Sequence, residues 1–226
     1  MIGGEISFER ATRTRNAQRM ITAILVAANL AAFVVELSLG GALEPFVRRW
    51  GLVPVDVLEA LRGNEAPSAL VTLLTSTFLH AGWLHLLSNL VYLGVFGLPV
   101  ERRVGAGGFA LLYVTSGLVG SLAYLLAQPA SEVPAIGASG AIAGVIGAHL
   151  VLFPGATLGS LAPVLFLHVV ESTPTLLLLL IWLATQLFSS VASLTTTTGI
   201  AWWAHVGGFA GGLALAPLLK KRPMVR

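Results

Sequence analysis

The sequence predicts an all-α, polytopic membrane protein built as a bundle of six transmembrane helices. Three observations carry that prediction. Charged residues make up only 10 % of the chain and hydrophobic ones 56 %, with a mean hydropathy of +0.87. An ordinary soluble domain is about one quarter charged, and so few charges could not clothe a soluble fold of this size. Apolar runs recur at close to the ~20 residues that a spanning helix needs. The 13 Lys and Arg then alternate between the predicted connections in a way that fits an even number of crossings.

The six expected spans are Met20–Leu39, Trp83–Val100, Phe109–Leu126, Gly140–Phe153, Thr175–Ser193 and Ile200–Leu219. Residues 1–19 carry Arg10, Arg13, Arg15 and Arg19 and read as a cytoplasmic N-terminal segment. The apolar run that follows is long enough to span, and no small-residue cleavage site follows it, so it reads as a first helix and not a signal peptide. Residues 40–75 form a long external loop. Within it, Pro54–Arg62 is expected as a short amphipathic helix, with Pro54 in its first turn and Gly63 as its stop. Its apolar residues Val55, Val57, Leu58 and Leu61 suggest a position in the membrane interface. Glu101, Arg102 and Arg103 read as a cytoplasmic loop cluster, and Leu158–Val170 as a loop or a partly embedded lead-in. Residues 220–226 form a basic cytoplasmic tail. With both ends inside, ten Lys and Arg lie on the cytoplasmic side against Arg48, Arg49 and Arg62 outside, which follows the positive-inside rule. One membrane domain, residues 20–219, holds the bundle.

Polar side chains inside the bilayer cost roughly a few kcal/mol each, so those present are functional candidates. Four stand out: His85 and Asn89 in the second span, Ser139 at the head of the fourth, and His205 in the sixth. The second, fourth and sixth spans run in the same direction, which places Asn89 and His205 in the outer third of the membrane. The fourth span is only about fourteen residues, or roughly 21 Å against a hydrocarbon core of about 30 Å. Its N-terminus therefore starts below the outer surface, and Gln128–Ala138 must dip inward to reach it. Irregular backbone at that depth requires protein or a water-filled cavity beside it.

Small residues supply the lateral approach. Gly140, Gly144 and Ala148 on the fourth span, and Gly208, Gly212 and Ala216 on the sixth, are small-xxx-small rows that let backbones meet. Close packing of the two rows brings Ser139 toward His205, the arrangement of an activated serine nucleophile. His85 and Asn89 are four apart and share a helix face. Both can donate hydrogen bonds to a developing oxyanion, together with the Ser139 amide at a helix N-terminus.

Each residue taken singly also has a plain structural reading. Ser139 could be a small packing residue, Asn89 interhelical glue, and His80 and His149 structural histidines; His168 is uninformative. Glu36 lies near the outer end of the first span, within reach of water, and Trp50, Trp83, Trp202 and Trp203 fit an outer aromatic belt. Other membrane hydrolases lack their residues here. There is no His-Glu-x-x-His zinc helix, no cysteine, and Asp56 is the single aspartate, in the external loop. The same fact favours a Ser-His dyad over a triad.

These motifs resemble the rhomboid family. His80-Ala-Gly-Trp-Leu-His85-Leu-Leu-Ser-Asn89 is similar to its second-helix His-x-x-x-Asn motif, and Gly137-Ala138-Ser139-Gly140 to its Gly-x-Ser-Gly nucleophile motif. Ala204-His205-Val-Gly-Gly208-Phe-Ala-Gly-Gly212 resembles the sixth-helix Ala-His-x-x-Gly-x-x-x-Gly motif, and Glu101-Arg102-Arg103-Val-Gly105 the Glu-x-x-x-Gly motif after helix two. The resemblance implies a six-helix core that hydrolyses transmembrane substrates near their outer ends, with substrate helices entering past the fifth helix and the external loop. Ser139 would be the nucleophile, His205 the general base, and His85, Asn89 and the Ser139 amide the oxyanion hole. It implies no metal or cofactor and no nucleic-acid partner; the partners are substrate helices and the lipid bilayer, in the cell membrane, with the site opening to the external side. Oligomeric state is not legible. Two positions depart from the family pattern. Val71 and Thr72 stand where many members carry a Trp-Arg pair that anchors the external loop, and Ala143 stands where some members stack an aromatic ring on the catalytic histidine. Two rival readings remain: a silent relative that binds transmembrane helices, and a small transporter or channel.

Overall fold

The computed structural model describes residues 20–157, 174–194 and 201–219. The expected N-terminal segment, the run Leu158–Val170, Ile200 and the basic tail lie outside the described residues. Everything regular within them is helical; β-type pairing is confined to the isolated bridges Leu52–Ala135 and Thr157–Pro174. The helices are α1 (Met20–Ser38), α2 (Leu43–Trp50), α3 (Pro54–Leu61), α4 (Pro67–Phe78, mixed α and 3₁₀), α5 (Trp83–Val104), α6 (Ala106–Ala127), α7 (Ser139–Leu152), α8 (Thr175–Ala192) and α9 (Trp202–Leu219). Among the described residues, α1, α5, α6 and α8 are long and apolar enough to cross a membrane by length and composition. The fourth expected span is the fourteen-residue α7, and the sixth is α9, which carries His205, two tryptophans and four glycines in its eighteen residues. The chain is a multi-pass membrane protein.

Helix α7 is the centre of the bundle. Ala141, Ala143, Val145 and Ala148 are no more than 1 % exposed. It is flanked by α6 and α9, and glycine sets the spacing. A Cβ at Gly208 would lie 1.9 Å from the Gly140 carbonyl oxygen, and one at Gly212 would lie 1.8 Å from the Gly144 oxygen. Backbone meets backbone at both points, and neither can yield as a flexible side chain would. Helix α6 joins the seam. A Cβ at Gly144 would collide with the Ser116 side chain at 2.1 Å, and one at Gly120 would meet the Ala204 oxygen at 2.6 Å. The two small-residue rows legible in sequence are thus part of a three-helix contact, to which α6 contributes Ser116, Gly117 and Gly120. Below the seam, Phe96, Phe109, Leu112, Val145 and Ile146 fill the core.

The structure corrects two details of the sequence reading. The cluster Glu101–Arg103 is helical, not a loop: α5 continues to Val104, passing through a π-helical turn at Leu93–Gly97. Pro99, just beyond that turn, lacks the N–H that would bond back to Val95, and its ring crowds the turn. The continuation carries Glu101 into the bundle, where it is fully buried. Its carboxylate accepts hydrogen bonds from the Ile21 and Thr22 amides at 2.8 and 2.9 Å and from the Thr22 hydroxyl at 2.6 Å. It therefore takes up two amides in the first described turn of α1, where negative charge is favourable at a helix N-terminus.

Glu36 does not reach water. It is 3 % exposed, and both carboxylate oxygens lie 3.1 Å from the His80 amide, which donates to them. The short helix α3 starts at Pro54 and ends before Gly63, whose φ of +81° suits glycine. Its apolar residues divide between protein and exterior: Val57 is buried against Leu52, Tyr124, Leu125 and Ala135, whereas Leu61 is exposed.

Candidate active site

The loop from Gln128 to Ala138 delivers Ser139 to the bundle, and the segment between α1 and α5 clamps it. The Leu52 and Ala135 backbones exchange two hydrogen bonds at 3.0 and 2.8 Å, and the Gly137 amide donates to the Ser76 carbonyl at 2.9 Å. The Arg48 guanidinium donates to the Glu132 carbonyl at 2.8 Å and pairs with Asp56 at 3.2 Å, while the Thr75 hydroxyl donates to the Trp50 carbonyl at 2.8 Å. Arg48 thus ties the segment that carries α2, a helix that the sequence reading did not anticipate, to the Gln128–Ala138 loop, although Val71 and Thr72 stand where the family pattern has Trp-Arg. Gly137 adopts φ +125°, and a Cβ there would press to 2.6 Å of His85 Nε2. Only glycine lets the loop pass this close to the imidazole.

Ser139 is the first residue of α7, and its amide points out of the helix start with no intrahelical acceptor. The Gly140–Gly208 contact sets α9 against this end of α7, and His205, one turn before Gly208, meets the serine. Ser139 Oγ and His205 Nε2 are 2.7 Å apart. On the other side of the ring, His205 Nδ1 lies 2.7 Å from Gln186 Oε1 on α8. Trp202 meets the imidazole edge-on, with ring centroids 5.8 Å apart. These two contacts occupy the surroundings of a histidine that lacks an aromatic partner at Ala143.

His85 and Asn89 line the same cavity of about 460 Å³ as Ser139 and His205. His85 Nδ1 accepts from the Ala81 amide at 3.3 Å. A neutral imidazole that accepts at Nδ1 carries its proton on Nε2, the atom beside Gly137. Asn89 is buried, and its Nδ2 has no acceptor among the described residues. A buried amide donor without a partner in a static structure calls for a ligand, a water or a transient state to complete it. The structure therefore brings His85, Asn89, Ser139 and His205 to one cavity. His80 stays outside it, with Nδ1 3.1 Å from the Phe78 carbonyl. His149 lies beside Phe96 and Phe153. No three His, Asp or Glu side chains converge as a metal site among the described residues.

Gln186 is the site residue that sequence reasoning missed. A signal was present, since it is a lone amide in the run Leu-Leu-Leu-Leu-Leu-Ile-Trp-Leu-Ala-Thr-Gln186. Its link to His205, nineteen residues away on another helix, becomes visible only in three dimensions.

The sequence matches the family model of the Rhomboid domain over residues 67–222. It is 36 % identical over 152 residues to RHOMBOID-like protein 5 of Arabidopsis thaliana, a match covering 67 % of this chain and 44 % of that protein. It is 45 % identical over 78 residues to rhomboid protease GluP of Bacillus subtilis, covering 34 % of this chain and 15 % of the relative. A match of 35 % over 88 residues to Inactive rhomboid protein 1 of Drosophila melanogaster covers 39 % of this chain and 6 % of that protein. The chain spans less than half the length of each of these relatives. With more than half of its residues inside the domain match, this chain belongs to the rhomboid family.

Proposed function

We propose that this protein is an intramembrane serine endopeptidase that hydrolyses peptide bonds in or near transmembrane helices, using a Ser139–His205 dyad. The observation that carries the reading is the 2.7 Å contact between Ser139 Oγ and His205 Nε2, in a cavity that also holds two oriented donors. In this reading His205 Nε2 takes the Ser139 hydroxyl proton as Oγ attacks the scissile carbonyl carbon. The carbonyl oxygen becomes an oxyanion, received by the Ser139 amide, the Asn89 amide group and the His85 Nε2–H. The protonated His205 then gives its proton to the leaving amine, which departs and leaves an acyl-Ser139. A water molecule, deprotonated by His205, attacks that ester, and the acid product leaves with Ser139 restored. Membership of a family with rhomboid proteases in it supports the same chemistry. No cofactor or metal enters any step.

The rest of the reading concerns placement. Residues 20–219 form the membrane domain, crossing the cell membrane six times with both termini cytoplasmic and the site opening outside; the ten-to-three distribution of Lys and Arg supports this orientation. The partners are substrate helices arriving through the lipid bilayer.

A second reading has a specific motive, because one matched relative is named inactive: a silent helix-binding protein. Labelling of detergent-solubilised protein with a fluorophosphonate separates the two. Wild type is expected to label, while Ser139→Ala and His205→Ala do not, with all three equally well folded. A folded wild type that stays unlabelled across detergents and lipids would overturn the protease reading in favour of the silent one.

A further inference from the structure

The two ring nitrogens of His205 are both engaged, and the engagements have a direction. Gln186 is 7 % exposed. Its Nε2 lies 3.3 Å from Thr185 Oγ1, and the Thr185 hydroxyl donates to the Trp182 carbonyl at 2.6 Å. With the threonine proton committed to Trp182, its oxygen is left to accept, so the Gln186 NH₂ turns toward Thr185 and the amide oxygen toward His205. A carbonyl oxygen only accepts, so Nδ1 must carry the proton. A neutral imidazole protonated at Nδ1 has its lone pair at Nε2, facing the Ser139 hydroxyl 2.7 Å away. The chain of donors then runs one way, from Ser139 through His205 to Gln186, Thr185 and the Trp182 carbonyl.

The reverse direction fails at both ends. Were the Gln186 amide flipped, its NH₂ would face Nδ1 and demand a lone pair there. The proton would move to Nε2, and the base would lose its acceptor toward serine. The flipped amide oxygen would face a threonine whose hydrogen is already donated.

We infer that Gln186 is a positioning residue: its side-chain oxygen fixes His205 in the Nδ1-protonated tautomer and holds the ring in line with Ser139. The inference rests on the protease reading for its consequence in catalysis, but not for the tautomer itself. The acceptor is a neutral amide, consistent with a chain whose single aspartate, Asp56, lies in the external segment. The other titratable side chains lining the cavity are His85 and Tyr92, both on α5. Among the described residues, Gln186 is the hydrogen-bond partner at Nδ1. Gln186 is one of the few residues of its helix that face the protein interior. Helix α8 buries few side chains, Thr175, Leu179, Gln186 and Ser190, and the rest of it faces outward or is half-buried.

The test uses full-length protein in detergent or lipid, with ¹⁵N-histidine labelling to read the tautomer and fluorophosphonate labelling rates to read the serine. The His205 signal is assigned by its loss in His205→Ala. Wild type is expected to show His205 protonated at Nδ1. Gln186→Leu keeps the side chain's size and removes the acceptor. It should populate the Nε2-protonated form and slow labelling by at least about tenfold, toward the ~10⁴-fold that a wrong tautomer costs a soluble serine protease. Gln186→Glu retains an acceptor oxygen in either protonation state and should restore both the tautomer and most of the rate. An unchanged tautomer in Gln186→Leu would overturn the inference, even if labelling slowed, because that pattern is a structural defect. So would an Nε2-protonated His205 in wild type, which needs no variant to fold. The tautomer is read without turnover. A wild-type serine that never labels therefore sinks the protease reading, while the nitrogen spectrum still decides the role of Gln186.

Discussion

Helices α7 and α8 meet their surroundings in opposite ways. Almost every residue of α7 is buried, and its neighbours approach so closely that a single methyl group at Gly208 or Gly212 would strike a carbonyl oxygen at 1.8–1.9 Å. Helix α8 turns Leu177, Ile181, Leu187 and Phe188 outward, 45–78 % exposed, toward the space that lipid fills in a membrane protein. In a bilayer there is no hydrophobic driving force between helices, so association comes from close packing and polar contacts. Helix α7 uses the first and α8 leans on the second, through Gln186 to His205. Ser139 and His205, the proposed nucleophile and base, both sit on the tightly packed seam. Gln186, the proposed orienting side chain, sits on a helix that buries few of its residues, so in that reading the orientation of His205 is open to disturbance from the bilayer side.

The largest expected effect follows from breaking the seam. Gly212→Leu and Gly208→Leu should each prevent accumulation of folded protein, because the new side chain strikes the α7 backbone at Gly144 or Gly140. Even Gly212→Ala should exceed the roughly 1–3 kcal/mol usual for overpacking, read as a loss of thermal stability in detergent. A Gly212→Ala protein as stable as wild type would show that the α7–α9 approach is looser than 1.8 Å implies.

Next comes a change that leaves the seam intact and touches only the cavity. Asn89→Ala removes a buried donor with no acceptor in the resting site. Its stability should hold or rise slightly, since an unsatisfied buried polar group is lost. Turnover of a transmembrane substrate should fall. Losing one oxyanion donor costs about 2.7–4 kcal/mol in kcat in a soluble serine protease, and a similar or smaller loss is expected here. A fall in stability without a fall in kcat would reassign Asn89 to interhelical packing.

The contrast between the two helices also explains what was legible in the sequence. The seam could be read because it is written as a period: glycine or alanine every fourth residue on two segments, with Ser139 and His205 just before them. His85 and Asn89 were legible for the same reason, being polar residues at helical spacing in an apolar span. Gln186 carries no such pattern, since a single amide in a leucine run points nowhere until the fold supplies its partner. Glu101 looked like a loop residue because two arginines follow it. Only the continuation of α5 past Pro99 carries its carboxylate under the first turn of α1. Glu36 looked able to reach water because it is near a helix end, but the His80 segment folds back over it. The segment between α1 and α5 was the least legible part. Helix α2 has no fully buried residue, and its function as a clamp rests on Arg48 reaching a backbone carbonyl at Glu132, a long-range contact that local pattern does not encode.

That clamp gives a smaller effect. Arg48→Ala removes an exposed pair with Asp56, worth roughly 0.2–1 kcal/mol, together with the bond to the Glu132 carbonyl. Global stability should therefore move by about 1 kcal/mol or less. The local consequence should be larger. The Gln128–Ala138 loop loses one of its ties, and amide hydrogen exchange in residues 129–137 should speed up while α7 stays protected. Unchanged exchange in that loop would mean that its backbone ties, Leu52–Ala135 and Gly137–Ser76 among them, hold it without Arg48.

The smallest effect belongs to the outward face of α8. Ile181→Ala trims a side chain that is 60 % exposed and leaves Gln186, one turn and a residue further along, in place. Burial in protein contributes little there, and surface substitutions of this kind usually stay within about 0.5 kcal/mol. Both the melting temperature and the fluorophosphonate labelling rate should match wild type, because the small probe reaches Ser139 without displacing a helix. Cleavage of a transmembrane substrate is the discriminating readout. If substrate helices approach along this face, kcat/KM should change while labelling does not. A parallel change in labelling would instead mean that α8 moves as a body and carries Gln186 with it, making the orientation of His205 and the packing of α8 against lipid a single property.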